Sequence, residues 1–161
     1  MIEQGGARLG CRGIETRCCD LTAAPASLAP ESFDLILVDA PCSGLGVLRR
    51  NPESRWSRKP ADMKELAALQ TTILNHVVPL LRSGGHLLYS VCTFTEAETD
   101  AVVRQLLATH PTMTLENLRT LMPREWAELF TENGCLRTLP HRHDGMDAFF
   151  AARFVKGQES G

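Results

Sequence analysis

The sequence predicts an α/β domain built on a mostly parallel sheet, and three observations predict it. Residues 33–39 and 85–92 are apolar runs with little alternation, the habit of strands covered on both faces. Between them Met63, Leu66, Leu69, Ile73, Val77 and Leu80 recur every three or four residues, the spacing of a helix with one buried stripe. Strand, crossover helix and strand make a parallel βαβ unit, so both strand ends fall on one edge of the sheet. Ligands of such sheets bind beyond those ends, which places Asp39 and Cys42 after the first run, and Cys92 at the end of the second, at a site. Adjacent parallel strands lie ~4.8 Å apart, so the two thiols face one pocket if the strands are neighbours.

The elements follow in order. Residues 1–10 read as the end of a helix stopped by Gly10, with no N-cap signal, so the start reads as truncated. Residues 14–19 alternate and read as a short strand ending at Asp20, and residues 21–28 as a brief helix before Pro30. Residues 43–61 contain Gly44, Gly46, Pro52 and Pro60 without periodicity; a long irregular loop inside a domain is commonly functional. This loop carries Arg49, Arg50, Arg55, Arg58 and Lys59 around Trp56, against a single Glu53. Cations interleaved with an aromatic suit a phosphate backbone and a stacked base; a solvated loop with a docked Trp is the plainer alternative.

Asp62 reads as the N-cap of the crossover helix, Pro79 as a kink in its last turn, and Gly84-Gly85 as its stop. Thr95 and Glu98 form a T-x-x-E capping box for a helix with Val102, Val103, Leu106 and Leu107 on its apolar face, ending by Pro111. Residues 125–130 read as a short helix. Residues 135–139 and 148–155 read as two strands of a hairpin, joined by the polar turn at residues 140–145. His141 and His143 in that turn lack a third ligand at fixed spacing, so no metal is expected.

At 161 residues, 43% apolar and 22% charged, the chain fits one domain with a sizeable core. A net charge of −2 gives no global attraction to nucleic acid, so any such binding rests on the local basic loop. Six cysteines without a CxxC pair read as reduced thiols of a cytoplasmic protein. Of these, Cys11, Cys18, Cys19 and Cys135 read as packing thiols. No apolar stretch approaches the roughly 20 residues of a membrane span, and no signal peptide opens the chain, so no membrane partner is expected.

Three stretches carry a resemblance. They are Asp39-Ala40-Pro41-Cys42-Ser43-Gly44 with Gly46 to Pro52 and Trp56, then Tyr89-Ser90-Val91-Cys92-Thr93, then Gly145-Met146-Asp147-Ala148-Phe149-Phe150-Ala151. In this order and spacing they resemble the Nop/Sun family of RNA cytosine-5 methyltransferases, RsmB/Fmu-like, over nearly the whole chain. The resemblance implies a Rossmann-like fold dependent on S-adenosylmethionine, with a C-terminal antiparallel hairpin, acting on rRNA or tRNA. It makes Cys92 the thiol that attacks carbon 6 of cytosine, Cys42 the thiol that assists proton removal or release, and Asp39 the acid that holds the base. It assigns Asp20, Asp39 and Pro41 to the cofactor, while the basic loop itself makes Arg49, Arg50, Trp56 and Arg58 the candidates for the RNA. Asp147 either is structural or orients the active-site loop.

The chain departs from that family at Val91, usually Thr, and at Ala148, usually Gly. No glycine-rich cofactor turn precedes residue 1, so the chain reads as a partial catalytic domain that lacks the first two strands. Residues 1–32 are then a remnant of the cofactor-side half and residues 33–161 the catalytic half. In the family strand order 3-2-1-4-5-7-6, this exposes the edge of the strand at 33–39 to self-association. Two rival readings stand beside it: a DNA cytosine-5 methyltransferase using Cys42 as nucleophile, and a non-catalytic RNA-binding remnant.

Overall fold

Helix α1 (Ile2–Arg8) ends where Gly10 adopts φ +69°, a left-handed stop that glycine enters without steric cost. The structure, a computed structural model, describes residues 2–53, 56 and 59–158. Strand β1 (Phe33–Asp39) pairs in parallel with β2 (Leu81–Val91), with Val38 beside Tyr89 and Asp39 beside Ser90. The crossover is helix α2 (Pro60–Val77) and a 3₁₀ turn, Val78–Leu80, that holds Pro79. Helix α3 (Asp100–Thr109) and a short strand β3 (Met113–Leu115) follow, then a one-turn helix α4 (Leu118–Leu121) and a 3₁₀ segment, Arg124–Leu129. The hairpin of β4 (Leu136–Thr138) and β5 (Phe149–Lys156) closes the chain, with β5 antiparallel to β2, β3 and β4. The sheet order β1-β2-β5-β3 corresponds to the 4-5-7-6 portion of the order that the resemblance implies, with β4 added beside β5.

Leu74 and Val77 of α2 and Val102 and Leu106 of α3 bury against one sheet face formed by Leu87, Tyr89, Phe150 and Phe154. Each such fully buried side chain contributes about 1.5–3 kcal/mol relative to exposure, which seats both helices and fixes the strand tips beneath them. Among the described residues, no helix is long and apolar enough to cross a membrane.

Several local expectations are corrected. Strand β1 is covered on one face only: Ile36 and Val38 join the core, whereas Leu35 and Leu37 are each 62% exposed. Side chains alternate across a strand, and in the described chain α2 lies on the first face while nothing covers the stretch of the second face under Leu35. Residues 14–19 form no strand, because no neighbouring strand takes their backbone groups; they run exposed, with Arg17 paired to Glu15 at 2.7 Å. Residues 21–28 make turns rather than a helix, closed by Leu28 N–H on the carbonyl of Pro25, whose own ring nitrogen has no proton to continue a ladder.

The N-cap of α2 is Lys59, not Asp62. Pro60 starts the helix early, since its φ suits the first position, and Asp62 Oδ2 accepts the Lys59 N–H at 2.9 Å. Gly84 and Gly85 lie within β2, where Gly84 takes φ +75° and the pairing with β1 slips between Phe33 and Leu35. Strand β3 has three residues, too few to show a period in sequence.

Candidate active site

The parallel register carries β1 and β2 to a common end, where Ala40 N–H donates to Ser90 O at 3.0 Å. Beyond it the two chains turn so that Cys42 Sγ and Cys92 Sγ lie 3.4 Å apart, both half-buried. Burial, and then the hydrogen bond to Cys92, push the Cys42 thiol up to about 12, so Cys42 keeps its proton near neutral pH.

Gly46 knits the three motifs together. Its N–H donates to Cys92 O and its carbonyl accepts Ala148 N–H, each at 2.9 Å. A Cβ at residue 46 would sit 2.0 Å from Ala148 O and 2.8 Å from Cys92 O, so the approach requires glycine.

Asp39 ends β1 exposed and accepts the Ser90 hydroxyl at 3.2 Å. With Ser90 it lies at the polar end of a cavity of about 390 Å³ whose other walls include Leu37, Leu88, Met122 and Trp126. Pro41 is exposed beside it and its carbonyl accepts Gln70 Nε2 at 2.9 Å. Asp20 is placed by its own turn: Thr22 donates its N–H at 2.8 Å and its hydroxyl at 2.7 Å, and these bonds hold the carboxyl below its ordinary value.

Asp147 draws the arginine loop toward the third motif, pairing with Arg50 at 2.6 Å and Arg49 at 3.7 Å, while both guanidinium side chains remain largely exposed. Thr138 Oγ1 donates to Asp147 O at 2.7 Å and anchors that residue to β4. Trp56 is 85% exposed. Arg55 and Arg58 lie outside the described residues. Among the cysteines read as packing thiols, Cys135 is buried and pushed up to about 11 by desolvation, but Cys11, Cys18 and Cys19 are exposed, because the segment that holds them packs on no sheet. His143 Nδ1 accepts Leu139 N–H at 2.9 Å and serves the hairpin turn.

The capping box at Thr95 and Glu98 is absent as such. Helix α3 starts later, with Thr99 as its N-cap, and Glu98 turns inward to a fully buried position. There its carboxylate accepts from Ser43 N, Gln70 Nε2, Thr93 Oγ1 and Thr95 Oγ1. One signal for this cluster is present in the sequence: Gln70 occupies the stripe of Ile73, Leu74 and Val77, and a polar residue on a buried stripe needs polar partners.

The sheet order and strand-tip thiols place the fold among Rossmann-like methyltransferases. It superposes on the crystal structure of PH0851 with a TM-score of 0.85 at 30% identity, over 96% of this chain and 34% of that one. With NSun6 from Pyrococcus horikoshii, solved with SFG, the TM-score is 0.76 at 26% identity, over 98% and 38% of the respective chains. Sequence narrows the class further. The family model described as 16S rRNA methyltransferase RsmB/F matches residues 1–155, and the chain belongs to that family.

It is 39% identical over 157 residues to the "Probable ribosomal RNA small subunit methyltransferase B" of Bacillus subtilis (strain 168), covering 97% of this chain and 35% of that protein. It is 41% identical over 128 residues to the ribosomal RNA small subunit methyltransferase F of Cronobacter sakazakii, covering 79% and 26%. The chain thus spans about a third or less of the length of these relatives.

Proposed function

We propose that this chain carries the cytosine-modifying half of an RNA cytosine-5 methyltransferase acting on ribosomal or transfer RNA in the cytoplasm. The observation that carries the reading is the 3.4 Å approach of Cys42 Sγ to Cys92 Sγ at adjacent strand tips. Residues 33–161 hold the base and the thiols, and residues 1–32 belong to the cofactor side.

Carbon 5 of cytosine is a poor nucleophile. Addition of the Cys92 thiolate to carbon 6 turns the ring into an enamine, whose carbon 5 can then be methylated; loss of the carbon 5 proton to a water or hydroxide from solvent and departure of Cys92 restore the aromatic ring. Asp39 accepts from the exocyclic amine and from nitrogen 3 as that atom takes a proton from water, a preorganised contact where charge changes most. Cys42 keeps its proton near neutrality, so it suits hydrogen-bond donation to the departing Cys92 sulfur better than abstraction at carbon 5. Carbon 6 is unreachable inside a stacked helix, so the substrate is single-stranded or a flipped base. Arg49, Arg50, Trp56 and Arg58 are assigned to its backbone and to a neighbouring base.

S-adenosylmethionine would supply the electrophilic methyl group. The residues present fit part of it: the exposed carboxylates of Asp20 and Asp39 offer acceptors to hydroxyl and amine donors, and the apolar cavity beside Asp39 suits a purine. The NSun6 neighbour was solved with SFG, an analogue of that cofactor. Asp20, Asp39 and Pro41 are the residues of this chain proposed to meet it.

The test is a denaturing gel with RNA, the chain being supplied together with the upstream part of the Bacillus subtilis relative. Cys42→Ala is expected to accumulate a covalent adduct and Cys92→Ala to form none. The reverse pattern would make Cys42 the nucleophile. Absence of adduct from wild type and both variants would favour the RNA-binding remnant.

A further inference from the structure

Glu98 is wholly buried and is bonded to the residue that follows each thiol. Its Oε1 accepts Ser43 N–H at 2.8 Å and Gln70 Nε2 at 3.1 Å; its Oε2 accepts the Thr95 hydroxyl at 2.9 Å and the Thr93 hydroxyl at 3.3 Å. Ser43 follows Cys42, Thr93 follows Cys92, and the two hydroxyl oxygens are 2.9 Å apart. Thr93 has one proton to give. With that proton on Glu98, Ser43 supplies the proton between the hydroxyls, and a directed chain runs from Ser43 through Thr93 to the carboxylate.

A second brace reaches the other side of Cys42. Gln70 Nε2 also donates to Pro41 O at 2.9 Å, and Tyr89 Oη lies 2.9 Å from Gln70 Oε1 and 2.7 Å from Glu98 O. A buried carboxylate is costly unless its lone pairs are filled, and here all four partners are donors. Starting a helix uses far less: one bond from Thr95 serves that turn. The remaining donors come from the segments that bear the sulfurs and from the helix between them.

We infer that Glu98 is a positioning residue for the two-thiol step, holding the loop after β1 and the loop after β2 in the single relation at which Cys42 Sγ faces Cys92 Sγ. It acts through Ser43 and Thr93 and touches neither sulfur. The inference deepens the reading above and rests on it only for the use made of the thiols. Arg49 and Arg50 are tied separately to Asp147, so the brace governs thiol pairing and leaves the basic loop in place.

The pairing is measurable without methyl transfer. Phenylarsine oxide condenses with two thiols, forming two As–S bonds and releasing one water, and holds firmly only where both sulfurs are already close. The chain with Cys11, Cys18 and Cys19 changed to Ser serves as parent, leaving Cys42, Cys92 and the buried Cys135. In that parent, Glu98→Gln keeps the size but swaps one acceptor for a donor. It is expected to weaken arsenical affinity by roughly 10- to 100-fold, the worth of one hydrogen bond to a charged group. The rate of Cys92 alkylation by iodoacetamide is expected to stay as in the parent, which a general loosening of the fold would not allow.

Thr93→Val, which cuts the hydroxyl chain and spares the carboxylate, is expected to lose less in the same direction, and it decides the matter if Glu98→Gln does not fold. Parental arsenical affinity in folded Glu98→Gln, or in Thr93→Val where the first fails to fold, overturns the inference. Failure of the methyltransferase reading registers on the adduct gel alone and leaves this measurement intact.

Discussion

The carbonyl oxygen of Ala148 sits 2.0 Å from where a side chain on Gly46 would begin, and the carbonyl of Cys92 lies 2.8 Å from the same point. Gly46 is therefore the place where the loop after β1, the tip of β2 and the start of β5 are closed together. Gly46→Ala is expected to destabilise the fold by about 1–3 kcal/mol, the range for overpacking a tight site. The loss is read from the shift of the denaturant midpoint. The thiols should separate too, so a midpoint loss with arsenical binding unchanged would mean that the junction adapts around them.

The Cys42 thiol gives a pH signature. Its folded value is raised to about 12 from the ordinary 9.0, first by burial and then by the bond to Cys92. A group raised in the folded state contributes stability that is complete below the unfolded value and disappears as pH climbs through the folded one. Stability is therefore expected to fall between about pH 9 and 12, with Cys135, raised to about 11, adding to the fall. In parallel, alkylation of Cys42, followed by peptide mass spectrometry, should keep rising with pH to about 12. A plateau near pH 9 would show that the thiol is not held protonated by its surroundings.

Much of this site is legible in the sequence because strands and helices announce themselves through apolar period. The runs at β1 and β2 and the stripe of α2 lead directly to two neighbouring strand tips, and hence to Cys42 beside Cys92. The period says nothing about which face a strand exposes: Leu35 and Leu37 are as apolar as Ile36 and Val38, and only the absence of cover distinguishes them. Nor does it distinguish a surface glutamate that caps a helix from a buried one. Glu98 satisfies the T-x-x-E pattern with Thr95 and still spends its carboxylate on Ser43, Gln70 and Thr93, contacts that arise only when three segments meet. Residues 14–19 mislead for the converse reason, since alternation without a partner strand makes no sheet.

Arg49 and Arg50 are paired with Asp147 yet largely exposed, so their bonds to it are worth little to the fold and leave them available to phosphates. The double variant Arg49→Ala with Arg50→Ala is expected to change stability by less than about 1 kcal/mol. It should flatten the dependence of log affinity for single-stranded RNA on log salt by about 1.4, at roughly 0.7 for each phosphate no longer neutralised. Filter binding over a range of salt concentrations measures this. An unchanged slope would remove both arginines from the RNA face.

Strand β1 ends the sheet in the described chain, so one side of its backbone is unpaired, and Leu35 and Leu37 stand outward beside that edge. Unpaired apolar edges recruit other strands, and a second copy of the same chain carries the matching edge in abundance. The chain is expected to gain mass with concentration in light scattering, and Leu35→Lys to suppress the gain, because a charge on an edge opposes strand addition. Since Leu35 contributes nothing to the core, the same change should move stability by no more than about 0.5 kcal/mol, as for surface substitutions in general. Association that persists in Leu35→Lys would place the interface elsewhere, and the apolar cavity walled by Leu37, Met122 and Trp126 would then be the surface to change next.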